Sequence, residues 1–159
     1  VGDYVKIGEA IGTVEEIGLR TTKISAFGGE LHILPNGIIS EVVNYSVRNS
    51  LAVLDIGVSY ETDLAHVQRV LEDYLATLDE ERYPELVELP TFVGVQNLAA
   101  SEIVLRITAE TKPMMNFSVA RKMRKDIKDL FDRHQIEIPY QKLVVYQQKE
   151  EQTSESKNI

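Results

Sequence analysis

Through residue 48 the apolar positions come in short runs broken by glycine, proline and asparagine. Val14 and Ile17 precede Gly18, while Leu19, Thr21 and Ile24 follow it, so Gly18 falls where a strand needs a bulge or a tight bend. Phe27-Gly28-Gly29 supplies residues that tolerate positive φ for a hairpin. Leu31, Ile33 and Leu34 then form a short strand that Pro35-Asn36-Gly37 closes. Strands this short, with turns this close together, predict a small SH3-like or Sm-like β-barrel over residues 1–48.

Beyond residue 48 the period lengthens. Leu54-Asp55-Ile56-Gly57-Val58 alternates as a strand with one buried face. Thr62 or Asp63 can cap a helix in which Leu64, Val67, Leu71, Tyr74 or Leu75, and Leu78 make one apolar stripe. Asp79-Glu80-Glu81-Arg82 reads as a solvated linker. Val93 and Val95 lead a strand ending near Leu98, Ala99-Ala100-Ser101 makes a hairpin, and Ile103, Leu105, Ile107 and Ala109 alternate in the next strand. A second helix begins after Asn116 as its cap, turns Ala120, Met123, Ile127, Leu130 and Phe131 inward, and leaves a basic face outward. Ile136-Glu137-Ile138 resumes extended structure up to Pro139, which has no N–H to give to a ladder. The order βαββαβ over residues 49–140 is the ferredoxin-like pattern, and the whole chain reads as α+β. Leu143-Val144-Val145-Tyr146 makes a short C-terminal strand over 141–147 with no evident partner. Residues 148–159 read as a polar, disordered tail.

With 43% hydrophobic and 26% charged residues in 159, two small cores are affordable. No stretch approaches the roughly 20 apolar residues a membrane helix needs. There is no cysteine, which removes disulfides and thiolate chemistry. The formal charge of −8 is unevenly spread: residues 51–112 carry a net −8 and residues 113–159 a net +2. An acidic chain with scattered lysines argues against nucleic acid as the main partner.

Little else in the chain suggests chemistry. His32, His66 and His134 fall in a strand, a helix and a helix end with no metal-ligand spacing, and His134 suits a helix C-terminus on dipole grounds. Glu15-Glu16 and Asp79-Glu80-Glu81 are neighbours whose side chains diverge, so they read as solvated faces and not as a tuned acid and base. Gly28-Gly29 lacks the remaining spacing of a phosphate loop and opens no helix. No serine sits in a nucleophile-elbow context. Neither a catalytic residue nor a cofactor is expected. Arg20, a charge in a β-prone stretch, suits an interface or a surface salt bridge.

Gly2-Asp3-Tyr4-Val5, then Gly12-Thr13-Val14-Glu15-Glu16-Ile17-Gly18-Leu19-Arg20-Thr21-Thr22, Leu34-Pro35-Asn36-Gly37 and Asn44-Tyr45-Ser46, in this order and spacing, resemble the β domain of MscS-type small-conductance mechanosensitive channels. Ile136-Glu137-Ile138-Pro139-Tyr140-Gln141 is similar to the end of the α/β domain that follows it in the family, except that Gln141 stands where another proline is frequent. The resemblance implies the cytoplasmic portion of an inner-membrane protein, joined to the membrane by N-terminal helices absent here. The opening Val1-Gly2-Asp3, without initiator Met or signal pattern, suggests that such an upstream segment was removed. It also implies a homoheptamer with β domains in a ring below the pore and a vestibule through which ions and small solutes leave on hypo-osmotic shock. Residues 143–146 would then form an axial barrel. Gly12, Gly18, Arg20, Thr21, Thr22, Pro35, Asn36 and Asn44 match the family motif and are expected to serve ring architecture. The alternatives are a soluble peptide- or nucleic-acid-binding module built on the barrel and, last, an acylphosphatase-like enzyme, for which no Arg/Asn phosphate cradle is recognisable.

Overall fold

A computed structural model describes residues 1–140; the strand expected at 141–147 and the tail at 148–159 lie outside the described residues. The first unit is a five-stranded antiparallel sheet, β1 (Tyr4–Ile7), β2 (Ala10–Ile17), β3 (Thr21–Ser25), β4 (Leu31–Pro35) and β5 (Val43–Asn44), in the spatial order β4-β3-β2-β1-β5. Alternation along β1 and β2 sends Val5, Ile7, Ala10 and Val14 to one side, where Ile24 joins them with Leu34 and Ile39 packed against the cluster. Residues from β1 and from the edge strand β4 meet in this cluster, so the sheet wraps around its own core, as a barrel-like unit must.

Local chemistry places the turns. Gly18 donates its N–H to the Thr21 carbonyl at 2.8 Å and closes the β2–β3 hairpin, while the strand irregularity lies earlier, between Val14 and Glu16. Gly18 is therefore a turn residue and not the bulge. In the β3–β4 turn only Gly29, at φ +93°, takes the left-handed conformation. A single 3₁₀ turn over Asn36–Ile38 follows β4.

The second unit is a three-stranded antiparallel sheet, β6 (Ser50–Val58), β7 (Thr91–Leu98) and β8 (Ile103–Thr111), in the order β6-β8-β7. Helices α1 (Leu64–Ala76) and α2 (Asn116–Arg133) cover one face, α1 over β7 and α2 over β6 and β8. Leu54, Leu71, Leu105, Ile107, Met123, Ile127 and Phe131 are almost wholly buried between them. Asp63 caps α1 by accepting the Ala65 N–H at 2.9 Å. The expected Asn116 cap is corrected: Met115 is the capping residue without a side-chain bond, and Asn116 is already helical. Ser118 Oγ donates back to the Met115 carbonyl at 2.8 Å.

The ferredoxin-like order survives as strand, helix, hairpin, helix. The expected fourth strand is not formed among the described residues: Ile136 is buried, and Glu137 O accepts the N–H of Ser59, just past β6, at 3.2 Å. Pro139 withholds the N–H that a continuing ladder would use. The register of β7 against β8 shifts between Phe92 and Gly94 and between Val95 and Asn97; Val93 and Val95 face solvent, and Phe92 packs against the core.

Candidate functional site

Five of the eight motif positions gather around a sixth, Asn36. Pairing of Thr21 with Pro35 and of Thr22 with Leu34 brings the end of β4 beside the start of β3. Asn36, at the start of the 3₁₀ turn, then reaches across the hairpin. Its Nδ2 donates to the Gly18 carbonyl at 2.9 Å, its Oδ1 accepts from Thr22 Oγ1 at 2.8 Å, and its backbone N–H donates to the Arg20 carbonyl at 2.9 Å. Both amide functions of Asn36 are used, so the β2–β3 hairpin and the turn after β4 are fixed as one body. Thr22 is buried; its hydroxyl needs this partner. Arg20 contributes its backbone, and its exposed side chain makes no ion pair among the described residues.

Gly12 stands apart from this node. A Cβ there would lie 2.1 Å from the Ser25 carbonyl oxygen, so only glycine permits β2 to approach β3 so closely. Asn44 lies at the other edge of the sheet, where its Nδ2 donates to Asp3 Oδ2 at 2.8 Å and its Oδ1 accepts the Ser46 N–H at 2.9 Å. Ser46 Oγ in turn accepts the Tyr4 N–H at 2.8 Å, and the Tyr4 and Tyr45 rings stand 6.2 Å apart. This second node holds the exit from β5 against the start of the chain.

The link to the second unit is equally specific. Asn49 donates to Glu110 at 2.6 Å, Thr111 Oγ1 donates to the Ser50 carbonyl at 3.1 Å, and Ser50 Oγ accepts the N–H of Met114 at 3.1 Å. Met114 holds φ +68°, an uncommon backbone for a methionine, and the Ser50 bond falls on that residue. Between the two units lies a groove of about 310 Å³ lined by Tyr4, Ile11, Tyr45, Ser50, Met114, Asn116 and Phe117.

A polar clamp that the spacing of the sequence does not announce sits at the far side of the second unit. Tyr83 is wholly buried, and its hydroxyl donates to Asp126 Oδ2 at 2.7 Å. The same oxygen accepts from Tyr74 at 3.2 Å and from Arg82 at 2.7 Å. Burial opposes the Asp126 charge, but hydrogen bonds from Tyr83 and Tyr74 and the Arg82 guanidinium outweigh it and hold the carboxyl below its usual range. Burial, first of all, raises the Tyr83 phenol well above its ordinary value. Lys122 lies 4.1 Å from the Tyr83 ring centre. The arrangement ties α1, the segment after it and α2 together.

Several large apolar side chains of the first unit face solvent. Ile17, Leu19, Phe27, Leu31, Ile33 and Ile38 are all exposed, Leu19 at 97%. Among the described residues no group of three or more His, Asp or Glu side chains could hold a metal, and no helix is long and apolar enough to cross a membrane.

Comparison with known proteins matches both units. Residues 1–47 match the family profile for the mechanosensitive ion channel β domain, and residues 52–138 match the profile for the MscS mechanosensitive ion channel C-terminal region. A small-conductance mechanosensitive channel of Caldanaerobacter subterraneus is 38% identical over 145 residues, covering 91% of this chain and 51% of that protein. One from Helicobacter pylori is 28% identical over 150 residues, covering 89% of this chain and 52% of that protein. The chain thus spans about half the length of these relatives. The closed-state crystal structure of Helicobacter pylori MscS has the same fold, with a TM-score of 0.79 at 22% identity over 94% of this chain and 59% of that one. Arabidopsis thaliana MSL1 follows at 0.63 and 18%, over 88% of this chain and 52% of that chain.

Proposed function

Because this chain belongs to the MscS family of mechanosensitive ion channels, we propose that it forms the cytoplasmic vestibule of such a channel and acts without catalysis. The observation that carries this reading is the succession of both family regions in one chain, in family order, over residues 1–47 and 52–138. In the full-length protein a membrane part precedes Val1, seven copies assemble, and the β domains make a ring around the permeation path. Ions and small solutes cross the vestibule when hypo-osmotic shock opens the pore.

The motif residues fit an architectural role. Asn36 binds the Gly18 carbonyl and Thr22 through its amide, Gly12 permits a backbone contact, and Asn44 ties β5 to Asp3, so each of the three serves a contact within the β domain. Their task is to hold the shape of a ring segment whose exposed apolar residues meet neighbouring copies. Expression of the full-length gene in a bacterial strain lacking its own mechanosensitive channels tests the reading. Survival of osmotic downshock should rise to that of a channel-competent strain. No gain in survival, with the protein present in the membrane, would contradict it.

A further inference from the structure

We propose that Phe27 of one copy seats in the groove between the two units of the next copy, so that assembly fixes the angle between those units. The inference rests on the oligomeric reading above and adds the contact that the described chain is built to make. Phe27 is fully exposed at the β3–β4 turn, with Leu31 and Ile33 exposed beside it on the edge strand β4. The groove lies at the opposite edge, against β1 and β5. Tyr4, Ile11 and Tyr45 form its wall on one unit, and Met114 and Phe117 form its wall on the other.

A projection on one edge and a recess on the other cannot satisfy each other within one molecule. They can do so head to tail between identical copies, which is the heterologous arrangement that closes into rings. Charge agrees in sign. The turn carries Glu30 and no cation, whereas Lys6 shares a sheet face with Ile11 of the groove wall and Arg48 lies between Tyr45 and Ser50 of the lining. None of Glu30, Lys6 and Arg48 forms an ion pair among the described residues. The groove has room for an aromatic ring, at about 310 Å³. An aromatic anchor seated in a desolvated pocket is the usual centre of an energetic hot spot. Since both units contribute walls, a seated ring braces one against the other, and the pair becomes rigid only in the assembly.

Cysteine pairs in the full-length protein test the contact, since residues 1–159 contain no cysteine of their own. Phe27→Cys is combined with Phe117→Cys, and separately with Tyr45→Cys, because all three side chains are exposed enough to leave folding intact. Disulfides require Cα atoms roughly 4.4–6.8 Å apart, so two partner positions sample the groove. After mild oxidation, at least one double variant should shift from the one-subunit band to a ladder of multiples on a denaturing gel. Reductant should abolish the ladder, and each single variant should stay at one subunit. A covalent dimer and nothing larger would overturn the head-to-tail geometry. A full-size oligomer by native mass with no cross-link from either pair would overturn the contact while leaving the channel reading intact, and co-purified lipid in the groove would then identify the occupant. A monomer by native mass would remove the oligomeric reading itself, and the inference with it.

Discussion

Replacing Asp126 by alanine removes the one carboxylate on which Tyr83, Tyr74 and Arg82 converge, and the cost can be worked from the geometry. Tyr83 and Tyr74 are both buried, and their hydroxyls lie 3.4 Å apart. After the substitution one phenol can donate to the other, so one hydroxyl remains partnered and one donor is stranded. A hydrogen bond to a charged group contributes about 1.5–3 kcal/mol, and a stranded buried donor costs about 1–3 kcal/mol. Arg82 is half exposed and adds little. The expected loss is therefore roughly 2–4 kcal/mol, against about 1–2 kcal/mol for Tyr83→Phe, which keeps the ring and deletes one bond. Urea unfolding of the chain, followed by tyrosine fluorescence and far-UV circular dichroism, gives both values and that of the double variant. The two changes should be less than additive by about 1 kcal/mol or more, because each breaks the same bond. Loss of under about 0.5 kcal/mol for Asp126→Ala, or strict additivity, would refute the claim that the carboxylate holds the clamp.

The remaining predictions concern the same clamp and the motif nodes. The Asp126 carboxyl titrates lower when folded than when unfolded, so its contribution is present above the unfolded value near 3.9 and is lost as pH falls through the folded value; Asp126→Asn should flatten the acid limb of stability against pH, and an unchanged limb would count against it. Asn36→Ala should cost about 1–3 kcal/mol by stranding the Thr22 hydroxyl, and Thr22→Val in that background should restore part of the loss, as read by thermal unfolding. Gly12→Ala should destabilise by roughly 2 kcal/mol or more, since a Cβ 2.1 Å from the Ser25 carbonyl oxygen forces β2 and β3 apart; an unchanged melting curve would contradict the close approach.

Periodicity carried the helices of the second unit well, because their burial follows a single stripe. Val67, Leu71 and Leu75 on α1, and Met123, Ile127 and Phe131 on α2, are inward as the spacing implies. The Asn36 node was present in the sequence as motif residues, but its geometry was not, because the bonds join positions 14 and 18 apart and depend on the turn after β4. The clamp was harder still. Asp126 lies 43 residues from Tyr83, and Arg82 belongs to a run of charges that reads as solvated until Tyr83 beside it is seen to be buried. The strand that Val93 and Val95 announce is β7, but its two register shifts against β8 leave no mark in the sequence pattern. A cap needs only one suitable side chain near a helix start, so Asn116 was plausible, but the helix begins one residue too early for it.

The account stands most directly on whether the full-length protein conducts under tension. Recording from membrane patches that contain it, under stepped suction, should show channels that open reversibly as tension rises and are absent from patches without the protein. Patches that contain the assembled protein yet remain electrically silent up to membrane rupture would contradict it.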